Sequence, residues 1–339
     1  MTVSQLTAID LEQMLRNWAR EEYEPDAEVR NVGPMPGHAG LSFGFDVSAS
    51  AGEQPQSLVI RLAPPGVRRS GNTDVLAQVP ILAGLGDRGL PVAPLRWSGG
   101  EDSFFDTDAF IVDRLPGRPL HMTEADGSAE VGPEGVGSFF DQAVDVLAAI
   151  HDVPWGELAM RVARPRTLDD EIAFWAHLLG KADHTGSLVA LQLETGLRRS
   201  QPAAPDLGLF HGDFQLNNLL FADGRLTGVL DWELAGVGAQ LLDLGWLSMM
   251  TDPECWEDDY LRLLRTVSDR QALRARYELR SGRSTADFDW FTALACFRFG
   301  SIVAFNTMLH RSGKRPDPLY DVLSGSLDRL FERGLGLIP

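Results

Sequence analysis

Two apolar runs, residues 219–221 and 226–230, stand on either side of Asp223-Gly224, and no other stretch of the chain restricts its folding so tightly. An Asp-Gly pair between apolar segments is a short-range signal for a β-hairpin. The two ends of a hairpin lie close together. Asn218 stands at the entry and Asp231 at the exit, with Asp213 on the loop that feeds the first strand. Three oxygen-bearing side chains are therefore expected to converge near one point.

Such a point suits a hard divalent cation, which prefers carboxylate and carbonyl oxygens together with phosphate and water. Asn218 and Asp231 supply an amide oxygen and a carboxylate as the expected Mg2+ ligands, with places left for nucleotide phosphates. Asp213 is then free to take the proton of an attacking hydroxyl as catalytic base. Phosphoryl transfer needs mainly positioning and charge neutralisation, and this set provides both.

The bulk of the chain leaves room for that reading and excludes others. Its 339 residues suggest two domains or lobes and ample core. A net charge of −18 argues against a nucleic-acid partner, which needs a basic surface. The two cysteines, Cys255 and Cys296, form no C-x-x-C pair, and with no signal-like N-terminus a reduced, cytoplasmic setting is expected. Trp290–His310 is the most membrane-like stretch. Arg298 and Asn306 interrupt it, so a buried helix is expected and no membrane partner. The acids Asp252, Glu254, Glu257, Asp258 and Asp259 read as a solvated helix start.

Along the chain, residues 6–20 carry apolar positions at helical spacing. A glycine-rich segment from Gly33 to Gly40 runs into an expected strand at 41–47, paired across a turn containing Gly52 with another at 56–62. A helix is expected over Thr73–Leu85, edged or kinked by Pro80, and a strand over Phe110–Leu115. Beyond it, 138–151, 168–181, 257–280 and 287–310 read as helical. The expected division is a small sheet-rich lobe, 1–113, followed by a helical lobe, 114–339.

His211-Gly-Asp213-x-x-x-x-Asn218 followed by Leu230-Asp231-Trp-Glu233 resembles the catalytic and metal-binding loops of the aminoglycoside phosphotransferase and choline-kinase-like family. The resemblance implies an α+β, bilobal protein-kinase-like fold with a small antiparallel-sheet N-lobe and a large helical C-lobe. It implies a kinase that moves the γ-phosphoryl group of ATP or GTP to a hydroxyl-bearing small molecule. By it Leu41-Ser42-Phe43-Gly44-Phe45 covers the nucleotide, and Arg61 replaces the usual lysine on the α- and β-phosphates. Arginine keeps the charge but has a different geometry. The helix glutamate that usually pairs with the lysine aligns here with Gln78. The backbone carbonyl of Asp113 and amide of Leu115 resemble the hinge groups that hold the adenine edge.

The resemblance also marks Asp243 as a brace for the catalytic loop, and makes His151 and His211 structural rather than catalytic. Glu233 is left outside the catalytic set, as a second metal contact or a structural acid. Arg61, Glu171-Ile-Ala-Phe-Trp175 and Leu294-Ala-Cys-Phe-Arg298 look closer to the acyl-CoA-dehydrogenase-associated branch, which points to hydroxyacyl-CoA-type acceptors beside aminoglycosides. Acceptor recognition is expected from 160–200 and 250–310. Against each of these readings stands a plainer one: a chance turn at 211–213, a strand-end cap at Asp231, a surface strand residue at Arg61, a Pro-Gly strand end after Leu115. Gly-x-Ser-x-Gly is absent, which disfavours an α/β-hydrolase. The competing class is a nucleotide-binding pseudokinase acting as a regulatory or scaffold module, kept open by Gln78 and Arg61.

Overall fold

The computed structural model describes residues 8–35, 41–50, 53–64, 66–120, 135, 137–158, 164–182, 187–264 and 266–339. The expected turn at Gly52, Leu6 of the first helix, and Pro36–Gly40 of the glycine-rich segment lie outside them. The chain divides into two compact units. Unit 1 comprises Met1–Pro116, Gly156–Arg161 and Gly228–Leu234; unit 2 comprises Gly117–Trp155, Val162–Thr227 and Ala235–Pro339.

Unit 1 begins with helix α1 (Ala8–Glu22) and strand β1 (Glu28–Pro34), then β2 (Leu41–Ser48) and β3 (Gln56–Leu62). Helix α2 (Val79–Gly86) and strands β4 (Leu95–Gly99) and β5 (Ala109–Asp113) follow. The five strands form one antiparallel sheet in the order β1-β2-β3-β5-β4. Leu11, Leu15, Trp18 and Ala19 recur at one-turn intervals along α1, and all four are buried against Phe45, Leu58, Ile60 and Ile111 of the sheet. The alternation in β3 buries Leu58, Ile60 and Leu62, which leaves Ser57, Val59 and Arg61 for the other face. The register sets Ser42 opposite Arg61 and Gly44 opposite Val59.

The helix expected over Thr73–Leu85 is shorter and starts later. Two 3-10 turns, Gly71–Thr73 and Val75–Gln78, precede α2, and Pro80 sits in its first turn. Proline lacks the N–H that an α-helix interior requires, but the first turn has no use for that donor.

Unit 2 contains a three-stranded and a two-stranded sheet with nine of the described α-helices. Strand β6 (Arg118–Pro119) is followed by helices α3 (Gly137–His151), α4 (Leu168–Leu179) and α5 (Leu188–Arg199). Then come β7 (Leu207–Phe210), β8 (Leu219–Ala222), β9 (Arg225–Val229), whose last two residues count with unit 1, and β10 (Gly236–Ala239). Helices α6 (Leu241–Met250), α7 (Asp258–Leu261), α8 (Arg270–Ser281), α9 (Phe288–Arg311), α10 (Leu319–Ser324) and α11 (Leu327–Gly336) complete it. The hairpin β8–β9 turns at Asp223 and Gly224, whose φ values of 50° and 71° are the two positive angles of a type I′ turn.

All ten residues of α6 are buried. It packs on α9, and a Cβ on Gly245 would lie 2.6 Å from the backbone carbonyl of Phe291. The helices therefore touch backbone to backbone. By length and composition α9 is long and apolar enough to cross a membrane, but 72% of its most apolar window is buried inside the protein. The buried-helix expectation fits this, because an all-round apolar helix is what a core position requires.

Two expectations for unit 2 are corrected. Residues 257–280 form two helices rather than one: Asp269 Oδ1 accepts from the N–H groups of Gln271 and Ala272 and starts α8 afresh. Asp252 is not part of a solvated helix start. It is 5% exposed and takes hydrogen bonds or ion pairs from Arg333 and Arg270.

Candidate functional site

Asp213 lies in the loop between β7 and β8, and this loop is held at nearly every polar atom. Asp243, fully buried in the first turn of α6, accepts from the backbone N–H of His211 and of Gly212, each at 2.7 Å. Its carboxylate also meets His151 Nε2 at 3.1 Å, and His151 Nδ1 meets the Tyr277 hydroxyl at 2.7 Å. Burial pushes the Asp243 carboxyl up, but the His151 hydrogen bond and charge with the His211 N–H outweigh it and hold it below its ordinary value. Asp243 thus braces the loop, and His151, 2% exposed, serves the brace. The His211 ring accepts from the Asp213 N–H through Nδ1 at 3.2 Å, a loop-shaping contact.

Gly212 has φ of 87°. A side chain there would force a left-handed backbone at a cost of about 1–2 kcal/mol. Gly212→Ala is therefore expected to lower stability by roughly that amount in urea unfolding, and to reduce turnover by displacing Asp213.

The Asp213 carboxylate accepts three N–H groups. Oδ1 receives Trp246 Nε1 and Gln215 Nε2, both at 2.8 Å, and Oδ2 receives Asn218 Nδ2 at 2.9 Å. Asn218 Nδ2 also reaches the Asp213 backbone carbonyl at 2.9 Å. With its amide nitrogen engaged on Asp213, Asn218 retains Oδ1 as its acceptor atom.

Unit 1 assembles a second set. Arg61 Nη2 meets Glu233 Oε2 at 2.5 Å and Nη1 meets Asp231 Oδ1 at 3.3 Å, with the Arg61 side chain 14% exposed. Asp231 has φ of 63°, a conformation rare for a residue with a Cβ and concentrated at functional sites. The side chain of Gln78 is 4% exposed, and its Nε2 has no hydrogen-bond partner. The acid against Arg61 is Glu233, from the segment after β9, rather than a residue of the α2 region.

Ser42, Phe43 and Gly44 lie in β2 beside Arg61, and a Cβ on Gly44 would sit 2.9 Å from the Met35 sulfur. The Asp113 side chain is taken by Arg96, in two 2.6 Å bonds, and by Gln56 at 2.8 Å. Any ligand contact at Asp113 therefore falls to its backbone. Leu115 follows β5 and is half-buried.

Among the described residues no three His, Cys, Asp or Glu side chains cluster as a metal cage. Asn218 of unit 2 carries an amide oxygen and Asp231 of unit 1 a carboxylate, each an oxygen type that Mg2+ accepts beside waters and phosphates.

Sequence reasoning set Glu233 aside and missed Trp246, Gln215 and Arg298. Trp246 stands one turn after Asp243 on α6, the spacing that puts two side chains on one helix face. Arg298 was visible as a lone cation in an apolar helix.

A family model described as the phosphotransferase enzyme family matches residues 39–279, more than half of the chain. Acyl-CoA dehydrogenase family member 11 of Gallus gallus is 26% identical over 196 residues, covering 56% of this chain and 25% of its own. The Pongo abelii protein of the same name is 24% identical over 259 residues, covering 73% and 33%. The chain thus spans a quarter to a third of these relatives' length. A solved structure from Ralstonia eutropha with a provisional aminoglycoside-phosphotransferase name superposes with a TM-score of 0.75 at 22% identity, over 96% of this chain and 97% of that one. A thermostable mutant of aminoglycoside phosphotransferase APH(4)-Ia gives 0.62 at 16%, over 95% and 98%. These likenesses establish the kinase-like fold.

Proposed function

Because the chain belongs to the phosphotransferase enzyme family, we propose that it is a magnesium-dependent kinase of small molecules, moving the γ-phosphoryl group of ATP or GTP to a hydroxyl. The observation that carries this reading is the Asp213 carboxylate, half-buried and oriented by three N–H donors in a loop pinned through Asp243. Asp213 accepts the acceptor's hydroxyl proton. The oxygen so freed bonds to the γ-phosphorus as the bond to the β-phosphate bridge breaks, and the nucleoside diphosphate leaves.

Asn218 Oδ1 and Asp231 would hold Mg2+, whose chemistry there is neutralisation of phosphate charge. Arg61 binds the α- and β-phosphates. Ser42, Phe43 and Gly44 cover them, and the Asp113 carbonyl and Leu115 amide hold the adenine edge. A structure of APH(4)-Ia in ternary complex with ADP and hygromycin B supports a nucleotide donor and a hydroxylated acceptor.

Two acceptor classes frame the test. Aminoglycosides follow from the structural neighbours, and hydroxyacyl-CoA-type metabolites follow from the acyl-CoA dehydrogenase relatives. γ-Phosphate consumption with Mg-ATP and Mg-GTP across aminoglycosides, macrolides, choline, amino sugars and hydroxyacyl-CoA thioesters decides between them. Acceptor-dependent turnover that disappears in Asp213→Ala identifies the substrate class. Tight nucleotide binding with silence across the panel would turn the reading toward the pseudokinase. The contact of Arg61 with two acids of its own chain is the observation that favours that alternative.

Arg61→Ala is expected to raise the nucleotide KM about 10- to 100-fold, the worth of a charge-assisted phosphate contact. An unchanged KM would show that Arg61 serves only Glu233.

A further inference from the structure

Arg298 lies in the middle of α9 and is 1% exposed. Among the described residues it makes no ion pair, and its Nε and Nη1 meet no hydrogen-bond partner. Its Nη2 donates to the carbonyl of Gly212. Burying a guanidinium without a salt-bridge partner costs several kcal/mol of desolvation, and burial draws its pKa down.

The surroundings show what the cation does instead. The guanidinium lies over two indoles, with Cζ 4.7 Å from the ring centroid of Trp175 and 4.7 Å from that of Trp246. Each indole donates its N–H to a carboxylate: Trp246 to Asp213 at 2.8 Å, Trp175 to the buried Glu171 at 2.9 Å. Glu171 is anchored in turn by Arg166 at 2.5 Å. Arg298 thus shares its two aromatic neighbours with the carboxylates of Asp213 and Glu171. The same residue grips the Gly212 carbonyl, while Asp243 grips the Gly212 N–H at 2.7 Å. Gly212, the residue before Asp213, is thus held through its C=O by a guanidinium and through its N–H by a carboxylate.

We propose that Arg298 is a positioning residue for Asp213. It fixes the loop through the Gly212 carbonyl and sets the indole of Trp246 that orients the carboxylate. The proposal deepens the reading of Asp213 as catalytic base and rests on it. Arginine is required, because its planar guanidinium offers a face to the rings and a donor fork to the carbonyl at once. Lysine keeps the charge and loses both.

The test uses the full chain and two readouts. In a 15N-indole spectrum the chain's eight tryptophans are counted, and Trp246→Phe identifies the Trp246 cross-peak by its loss. Asp213→Asn is expected to move that peak, and so is Arg298→Lys. In kinetics, Arg298→Lys and Trp246→Phe are expected to lower kcat roughly 10- to 100-fold, the scale of a small misplacement of a catalytic group. The nucleotide KM should stay within about two-fold, since neither residue is assigned to nucleotide binding.

Arg298→Met serves only as the harsher variant, because loss of the buried cation endangers folding; Arg298→Lys and Trp246→Phe keep the question answerable. A peak that responds to Asp213→Asn but ignores Arg298→Lys overturns the positioning role and leaves Asp213 untouched. Unchanged kcat, or a raised KM at constant kcat, overturns it too. If the wild-type protein turns over nothing, the kinase reading fails by itself, and the Trp246 resonance alone decides whether Arg298 sets the Asp213 carboxylate.

Discussion

Replacing Asp213 by alanine is expected to lower turnover about 10²- to 10⁴-fold, the contribution of a well-placed general base, while leaving nucleotide binding largely intact. The separation follows from where Asp213 is held. Its partners are Trp246, Gln215 and Asn218, all of the β7–β8 loop region or α6, and none is a phosphate-binding candidate except through Asn218. Removing the carboxylate leaves three N–H donors that water can satisfy at a half-buried position, so the protein should remain folded. Asp231→Ala provides the contrast: it should weaken magnesium-nucleotide binding as well. Calorimetric titration with Mg-nucleotide beside steady-state kinetics checks both. Equal activity in the Asp213 variant would remove it as the base.

The largest stability effect is expected at Asp243. Asp243→Ala strips the partner from two buried backbone N–H groups and from His151 at once. Breaking a buried charged network in this way costs about 3–5 kcal/mol, which should show as a lower urea midpoint. The pH dependence carries a definite sign. A carboxyl whose folded pKa is depressed contributes stability that is present above the unfolded carboxylate value, about 3.9. That contribution is lost as pH falls through the lower folded value. The stability difference between the wild type and Asp243→Asn should therefore be constant from neutral pH down to about 5 and shrink only below about 4. A difference that grew on acidification would mean that the brace does not depend on the ionised carboxylate.

How much of this was legible in the sequence varied with the range of the forces involved. The β8–β9 hairpin was, because Asp223-Gly224 dictates its turn locally. Helices α3 and α4 were, because their apolar periodicity extends over three or more turns, and α9 was, because its apolar run is long and continuous. The break between α7 and α8 was missed, since the cap at Asp269 is a single side-chain choice inside a helical-looking window. So were the strands β1, which carries little alternation, and β4, which is only five residues long.

At the site, His211, Gly212 and Asp213 announced themselves by spacing. The acid that meets Arg61 did not: Glu233 lies 172 residues along the chain, and no local pattern reports such a pairing. Arg298 gave a signal that was used only negatively, as a charge interrupting an apolar stretch. Its meaning depends on Trp175 and Trp246, on two other helices, and so on tertiary structure alone.

The backbone contact at Gly245 has a consequence for how such a protein can diversify. With α6 and α9 touching through Phe291, neither helix has slack to slide or tilt. Asp243 and Trp246 ride on one and Arg298 on the other, so their mutual spacing behaves like marks on a single ruler. New acceptor preferences would have to be written elsewhere, in segments whose drift leaves that ruler unbent.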